Sequence, residues 1–173
     1  MKAILAGSLI DANGTIDDPV VLVKNKIILK VGEKGKIKIP DDAEVYEAYD
    51  MFLMPGLIDC HVHFTGSDES TPGMLKGSFE SRLINAAVNQ TRSLLDHGIT
   101  SVMDTGGLIG LHVRDALEKG YVKGPRVLAA GSYLSPTGGH GDNQSLPLEW
   151  VKEGRPFGWG MDGRLADGVP ECL

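Results

Sequence analysis

Apolar positions along this chain follow two rhythms. Up to about residue 50 they fall in runs of strand length, at residues 3–10, 20–24, 27–31 and 44–48. Gly32, Gly35, Pro40 and the turn-forming string Asp11-Ala12-Asn13-Gly14 punctuate them. The middle two runs predict a hairpin about Asn25-Lys26, and the whole set predicts a small β-sandwich subdomain over residues 1–50. From residue 51 the pattern becomes strand, helix, strand. Leu83, Ile84, Ala87, Val88, Thr91, Leu94 and Leu95 recur at helical spacing and stop at His97-Gly98. Gly98 suits a left-handed cap, and His97 suits the negative end of the helix dipole. The β-rich run Ile99-Thr100-Ser101-Val102-Met103-Asp104 follows, then a helix over residues 108–119 stopped by Gly120, then a strand over residues 126–131 after Gly124-Pro125. Strands alternating with helices predict an α/β parallel sheet with right-handed crossovers.

One strand carries conspicuous chemistry, the run Met54-Pro55-Gly56-Leu57-Ile58-Asp59-Cys60-His61-Val62-His63. Side chains alternate across a strand, so His61 and His63 share a face while Val62 points away. Two imidazoles on one face at a strand's end can grip one metal ion. Alone, such a pair also reads as polar decoration of a half-buried strand. Asp59 shares their parity, which would aim its carboxylate at the same interior as a ligand or a support for one. Cys60 takes the opposite parity, as a packed thiol.

Two further residues invite functional readings. Asp104 closes the second parallel strand just before Thr105-Gly106-Gly107, where it either orients a ligand or substrate or caps the loop backbone. His140 lies in Thr137-Gly138-Gly139-His140-Gly141-Asp142, whose glycines let the backbone approach a ligand closely. It reads as a substrate contact or as a plain loop histidine. His112 lies inside a helix and reads as a surface residue.

Composition narrows the classes. A net charge of −6 argues against a nucleic-acid partner, whose phosphates demand a basic face. Two cysteines are too few for a disulfide framework, and a reducing cytoplasm is the default expectation. The apolar start of the chain ends in turn chemistry rather than a small-residue cleavage site, and no apolar stretch approaches the ~20 residues that span a bilayer. A soluble, membrane-free protein is expected.

The run at residues 54–63 resembles the first barrel strand of the metal-dependent amidohydrolase superfamily, whose signature is Pro-Gly-Leu-Ile-Asp-x-His-x-His. The loop at residues 137–142 is similar to that of a narrower branch, the imidazolonepropionase-like amidohydrolases with dipeptidases acting on Xaa-Pro or Xaa-Arg substrates. The resemblance implies that residues 51–173 begin a (β/α)8 barrel beside the sandwich. His61 and His63 would be metal ligands, and one or two divalent ions, Zn²⁺ in the first instance, would activate water to hydrolyse an amide-type C–N bond. Substrate would be a small molecule or dipeptide-like, with His140 and Asp104 as substrate-binding candidates. The complete protein would be a homo-oligomer. The resembled family commonly has Arg before the strand-two Asp, where this chain has Met103.

The family's remaining machinery is a carboxylated lysine on strand four, histidines on strands five and six, and an aspartate general base on strand eight. All of it is expected beyond Leu173. A (β/α)8 barrel takes about 250 residues, and residues 51–173 supply roughly half. The final segment, from Asp167 as N-cap through Pro170 and Glu171, reads as a helix just begun. A truncated N-terminal portion is therefore expected. Two alternatives stand beside the hydrolase: a non-catalytic fragment that needs a partner chain, and a mononuclear deaminase of the same superfamily.

Overall fold

Ten strands and a set of short helices make up the residues that the structure, a computed structural model, describes: 1–66, 77–142, 144, 151 and 163–173. The chain divides into two compact units, Met1–Pro55 and Gly56–Leu173.

In the first unit β1 (Lys2–Asp11) is the central strand. Its later half pairs antiparallel with β2 (Gly14–Asp17), and its earlier half with β3 (Pro19–Lys24). Strand β4 (Ile27–Glu33) extends the sheet from β3, and β5 (Glu44–Leu53) runs parallel to β1 along its other edge. Asn25 and Lys26 both take positive φ, at +51° and +66°, which makes the two-residue turn the expected hairpin needs without a glycine. All five strands belong to one hydrogen-bonded sheet. Ala3, Leu5, Val20 and Leu22 form its buried core, covered by Ile37, Ile39 and Ala43. Strand β2 escapes the apolar pattern because Gly-Thr-Ile-Asp offers a single apolar position.

In the second unit β6 (Leu57–Val62), β7 (Ile99–Asp104) and β8 (Arg126–Ala129) form a parallel sheet in sequential order. A nearly continuous helical segment joins the first two strands: α1 (Phe79–Asn85), a π-helical turn (Ala86–Gln90) and α2 (Thr91–Asp96). Ser78 starts it as N-cap, accepting from the Ser81 N–H at 3.2 Å. At its end, Gly98 takes φ +78° and the His97 ring approaches the Ser93 carbonyl at 2.8 Å, so His97 has the capping place expected of it. Helix α3 (Leu108–Glu118) joins β7 to β8. Phe64, Ala86, Val102, Ile109, Val113 and Val127 form the core between sheet and helices. On the sheet's other side, Ile58 and Leu128 remain 69% and 66% exposed.

The chain then forms a short parallel pair, β9 (Tyr133–Ser135) with β10 (Gly163–Leu165), and the one-turn helix α4 (Val169–Cys172). The N-cap of α4 is Gly168, at φ +86°, and not Asp167 as the sequence suggested. The Asp167 carboxylate instead accepts from the backbone N–H and the hydroxyl of Thr137, at 2.8 and 2.6 Å. Two short bonds to one threonine outcompete a cap on a helix too short to offer much dipole.

Candidate functional site

Strand β6 does not keep the simple alternation its sequence suggests. Asp59 pairs with Val102 and Val62 pairs with Asp104, so three steps along β6 match two along β7. This is a β-bulge at Cys60-His61, and a bulge reverses the parity of everything beyond it. His61 and His63 keep their common side, because both lie past the extra residue. Asp59 loses it. Its Oδ1 accepts the backbone N–H of His61 at 3.0 Å, which satisfies a donor that the bulge takes out of the ladder. Asp59 therefore shapes the strand end and does not point alongside the imidazoles. Cys60 is exposed rather than packed.

The two rings meet edge to face, with centroids 5.3 Å apart and planes at 75°. His63 Nδ1 lies 2.9 Å from the Gly106 carbonyl oxygen. A carbonyl can only accept, so Nδ1 carries the proton and Nε2 keeps its lone pair. The Thr105 hydroxyl approaches that lone pair at 3.5 Å. An imidazole whose far nitrogen is fixed by a carbonyl is the arrangement that orients metal-ligating histidines.

Asp104 lies beneath this pair, with no exposed surface. Its Oδ2 accepts from the Phe64 N–H at 3.0 Å, and its Oδ1 from the Gly106 N–H at 2.9 Å. One carboxylate thus ties the segment after β6 to the loop after β7, holding both His63 and the carbonyl that orients it. Burial pushes the Asp104 pKa up from the ordinary carboxylate range, while the Phe64 and Gly106 amides and His63 pull it down more weakly. Gly110 on α3 makes room for it, since a Cβ there would sit 2.2 Å from Oδ2.

His140 is exposed on its glycine-rich loop. Gly138 takes φ +74°, and its N–H donates to Asp142 Oδ2 at 2.8 Å. The Gly141 N–H donates to Ser135 Oγ at 2.9 Å. The Tyr133 ring packs against this loop and the loop after β7 together: a Cβ on Gly141 or on Gly106 would lie 2.6 or 2.5 Å from it. The helix residue His112 is exposed and meets Phe79 edge to face, with centroids 5.7 Å apart.

The structure thus brings His61, His63 and Asp104 into one constellation with Thr105 and Gly106. Among the described residues, no group of three or more His, Cys, Asp or Glu could hold a metal ion. The two imidazoles at one strand end fit a cation by the chemistry of their donors, as part of a ligand set that takes three or four groups. Sequence reading missed Thr105 and Gly106 as partners of His63. The string Asp-Thr-Gly-Gly at a parallel strand's end was the available signal.

Two histidines at the C-terminal edge of a parallel sheet, one of them oriented by a backbone carbonyl, are what this geometry defines. Residues 52–167 match the amidohydrolase family, and the chain belongs to that family. It is 33% identical to ochratoxinase from Aspergillus niger over 97% of its own length, and it spans only 37% of that relative. The crystal structure of that ochratoxinase superposes with a TM-score of 0.77 at 31% identity, covering 99% of this chain and 42% of the other. The crystal structure of a prolidase complexed with N-methylphosphonate-L-proline superposes with a TM-score of 0.75 at 27% identity, covering 99% and 42%. Among the described residues no helix is long and apolar enough to cross a membrane.

Proposed function

We propose that this chain supplies the first metal-gripping strand of a metal-dependent hydrolase that cleaves amide-type C–N bonds in small, dipeptide-like substrates. In this reading residues 1–50 belong to a β-sandwich subdomain, and β6, β7 and β8 are the first three strands of a (β/α)8 barrel. His61 and His63 hold a divalent cation, Zn²⁺ in the first instance, through neutral imidazole nitrogens. A bound cation of this kind supplies Lewis acidity that lowers the pKa of a ligated water to ~7 and polarises a carbonyl. Gly106 fixes the His63 tautomer, Asp104 sets the spacing of the two loops, and His140 contacts substrate from its exposed loop.

The observation that carries this reading is the His63 Nδ1 to Gly106 carbonyl bond, which leaves Nε2 available beside the His61 ring. Names among the similar proteins, ochratoxinase and prolidase, support amide-type chemistry without choosing a substrate. The test uses the full-length protein. It should retain at least one equivalent of metal after dialysis and hydrolyse N-acyl amino acid or dipeptide amides. His61→Ala and His63→Ala should each lose the metal and at least a thousandfold in kcat/KM, roughly 4 kcal/mol. A folded full-length protein that binds no metal and is indifferent to both changes would refute the assignment.

A further inference from the structure

Three residues past His63, Gly66 has both backbone polar atoms bonded to side chains of one helical segment. Its N–H donates to Gln90 Oε1 at 3.2 Å, and its carbonyl accepts from Asn85 Nδ2 at 2.9 Å. These partners are five positions apart. In an α-helix of 3.6 residues per turn, such positions diverge by about 140° around the axis and could not grip one residue from the same side. The turn between them is not α-helical. Residues Ala86–Gln90 form a π-helical turn, and the Thr91 N–H donates to the Ala86 carbonyl, an i→i+5 bond. Such bonds bring positions five apart onto nearly the same face.

Gly66 is shaped for this grip. It is buried, takes φ +65°, and lies so close to α1 that a Cβ would sit 2.0 Å from the Arg82 carbonyl oxygen. Asn89 Nδ2 donates to Asn85 Oδ1 at 2.7 Å, which fixes the Asn85 amide with its nitrogen toward Gly66. Gln90 and His63 line one cleft together with Val62, Phe64, Ser93 and Leu94.

We propose that the π-helical turn is a positioning device for the metal-gripping strand end, with Asn85 and Gln90 as positioning residues that clamp Gly66 and so fix the exit of the His61-Val62-His63 segment. Asp104 holds that segment at Phe64, and the π-turn clamp holds it two residues later. His63 lies between the His61 amide, held by Asp59, and these two anchors, so its ring has little freedom to leave the Gly106 carbonyl. The inference rests on the hydrolase reading for its metal, but not for the clamp itself.

The experiment uses the full-length protein loaded with Zn²⁺ and reads two quantities, zinc retention against a competing chelator and hydrogen exchange at the Gly66 amide. Gln90→Ala and Asn85→Asp should each weaken zinc retention about tenfold, the lower end for residues that orient ligands. Gln90→Ala should also speed Gly66 exchange. Gln90→Glu keeps the acceptor and should behave as wild type, whereas Asn85→Asp loses the donor and faces a carbonyl with a carboxylate. Helix propensity alone would not separate these two isosteric changes. Val88→Ala, on the exposed side of the same turn, is the control for helix disturbance. The proposal is overturned if Asn85→Asp and Gln90→Ala leave zinc retention and Gly66 exchange at wild-type values, or if Gln90→Glu is as damaging as Gln90→Ala. A wild-type protein that retains no zinc would sink the hydrolase reading, and the clamp would then stand or fall on Gly66 exchange.

Discussion

Two histidine-bearing segments of the second unit, residues 61–66 and 137–142, are held in opposite ways. The first is fixed by partners from β6, β7 and the helical segment: Asp59 on the His61 amide, Asp104 on the Phe64 amide, Asn85 and Gln90 on Gly66. The second is tied by its own Asp142, by Ser135 and by the exposed Asp167. In the first segment the bond on Phe64 is buried and those on Gly66 half-buried, whereas in the second the Gly141 bond to Ser135 is buried and those on Thr137 and Gly138 are exposed. Buried hydrogen bonds in a low-dielectric interior hold their geometry, while exposed ones exchange with water at little cost. A metal grip needs positions fixed to about 0.5 Å, and a loop meeting substrate gains from adaptability. The difference in support matches the difference in proposed role.

The sharpest way to break this comparison is to crowd the buried carboxylate. In Gly110→Ala the new Cβ meets Asp104 Oδ2, so either α3 or the carboxylate must move. Overpacking of this kind costs about 1–3 kcal/mol, enough to lower the midpoint of thermal unfolding by several degrees, and it should release His63 from Gly106. Gly138→Ala is the counterpart on the exposed loop, where a Cβ meets nothing within 4 Å and only the positive φ opposes it. It should cost ~1 kcal/mol. Denaturant unfolding of both variants decides the matter. Equal losses would show that burial does not distinguish the two segments.

How much of this was legible in the sequence differs between elements for physical reasons. The parallel strands and helix α3 follow from apolar runs and glycine stops, because the core between sheet and helices demands apolar side chains from both. The His-x-His pair was legible as the end of one such run. The bulge at Cys60-His61 was not, since it leaves the composition of the strand unchanged and only shifts its register against β7. Asp59 was misplaced as a result. The π-turn was hidden because its apolar positions still satisfy a helical period over a few residues. Gly66 and Gly110 were the missed clues, since each marks a backbone approached too closely for any side chain.

A weaker perturbation sharpens the account of the second segment. Asp167→Ala removes both acceptors from Thr137. Because Thr137 and Asp167 are exposed, stability should fall by only about 1 kcal/mol. If the loop meets substrate, KM should rise severalfold in the full-length protein while kcat and metal content stay near wild type. A fall in metal content with unchanged KM would reverse the assigned roles of the two segments.

The smallest effect is a pH dependence, and its sign follows from the burial of Asp104. Desolvation raises this carboxyl above its ordinary value near 3.8 and outweighs the two amide hydrogen bonds that favour its charged form. The folded protein therefore binds more protons at this group than the unfolded chain does. Its contribution to stability is fully present below pH ~4 and is lost as pH rises through the raised folded value. Asp104→Asn cannot titrate and lacks that slope, although it sacrifices one of the two acceptors. Unfolding free energies of the metal-free protein, taken at closely spaced pH values from 3 upward, should show the wild type losing stability relative to Asp104→Asn as pH increases. A gain relative to Asp104→Asn over the same window would mean that the Phe64 and Gly106 amides dominate. The buried clamp would then be strongest as a fully charged carboxylate, and the contrast with the solvent-adapted loop at residues 137–142 would rest on hydrogen bonding rather than on desolvation.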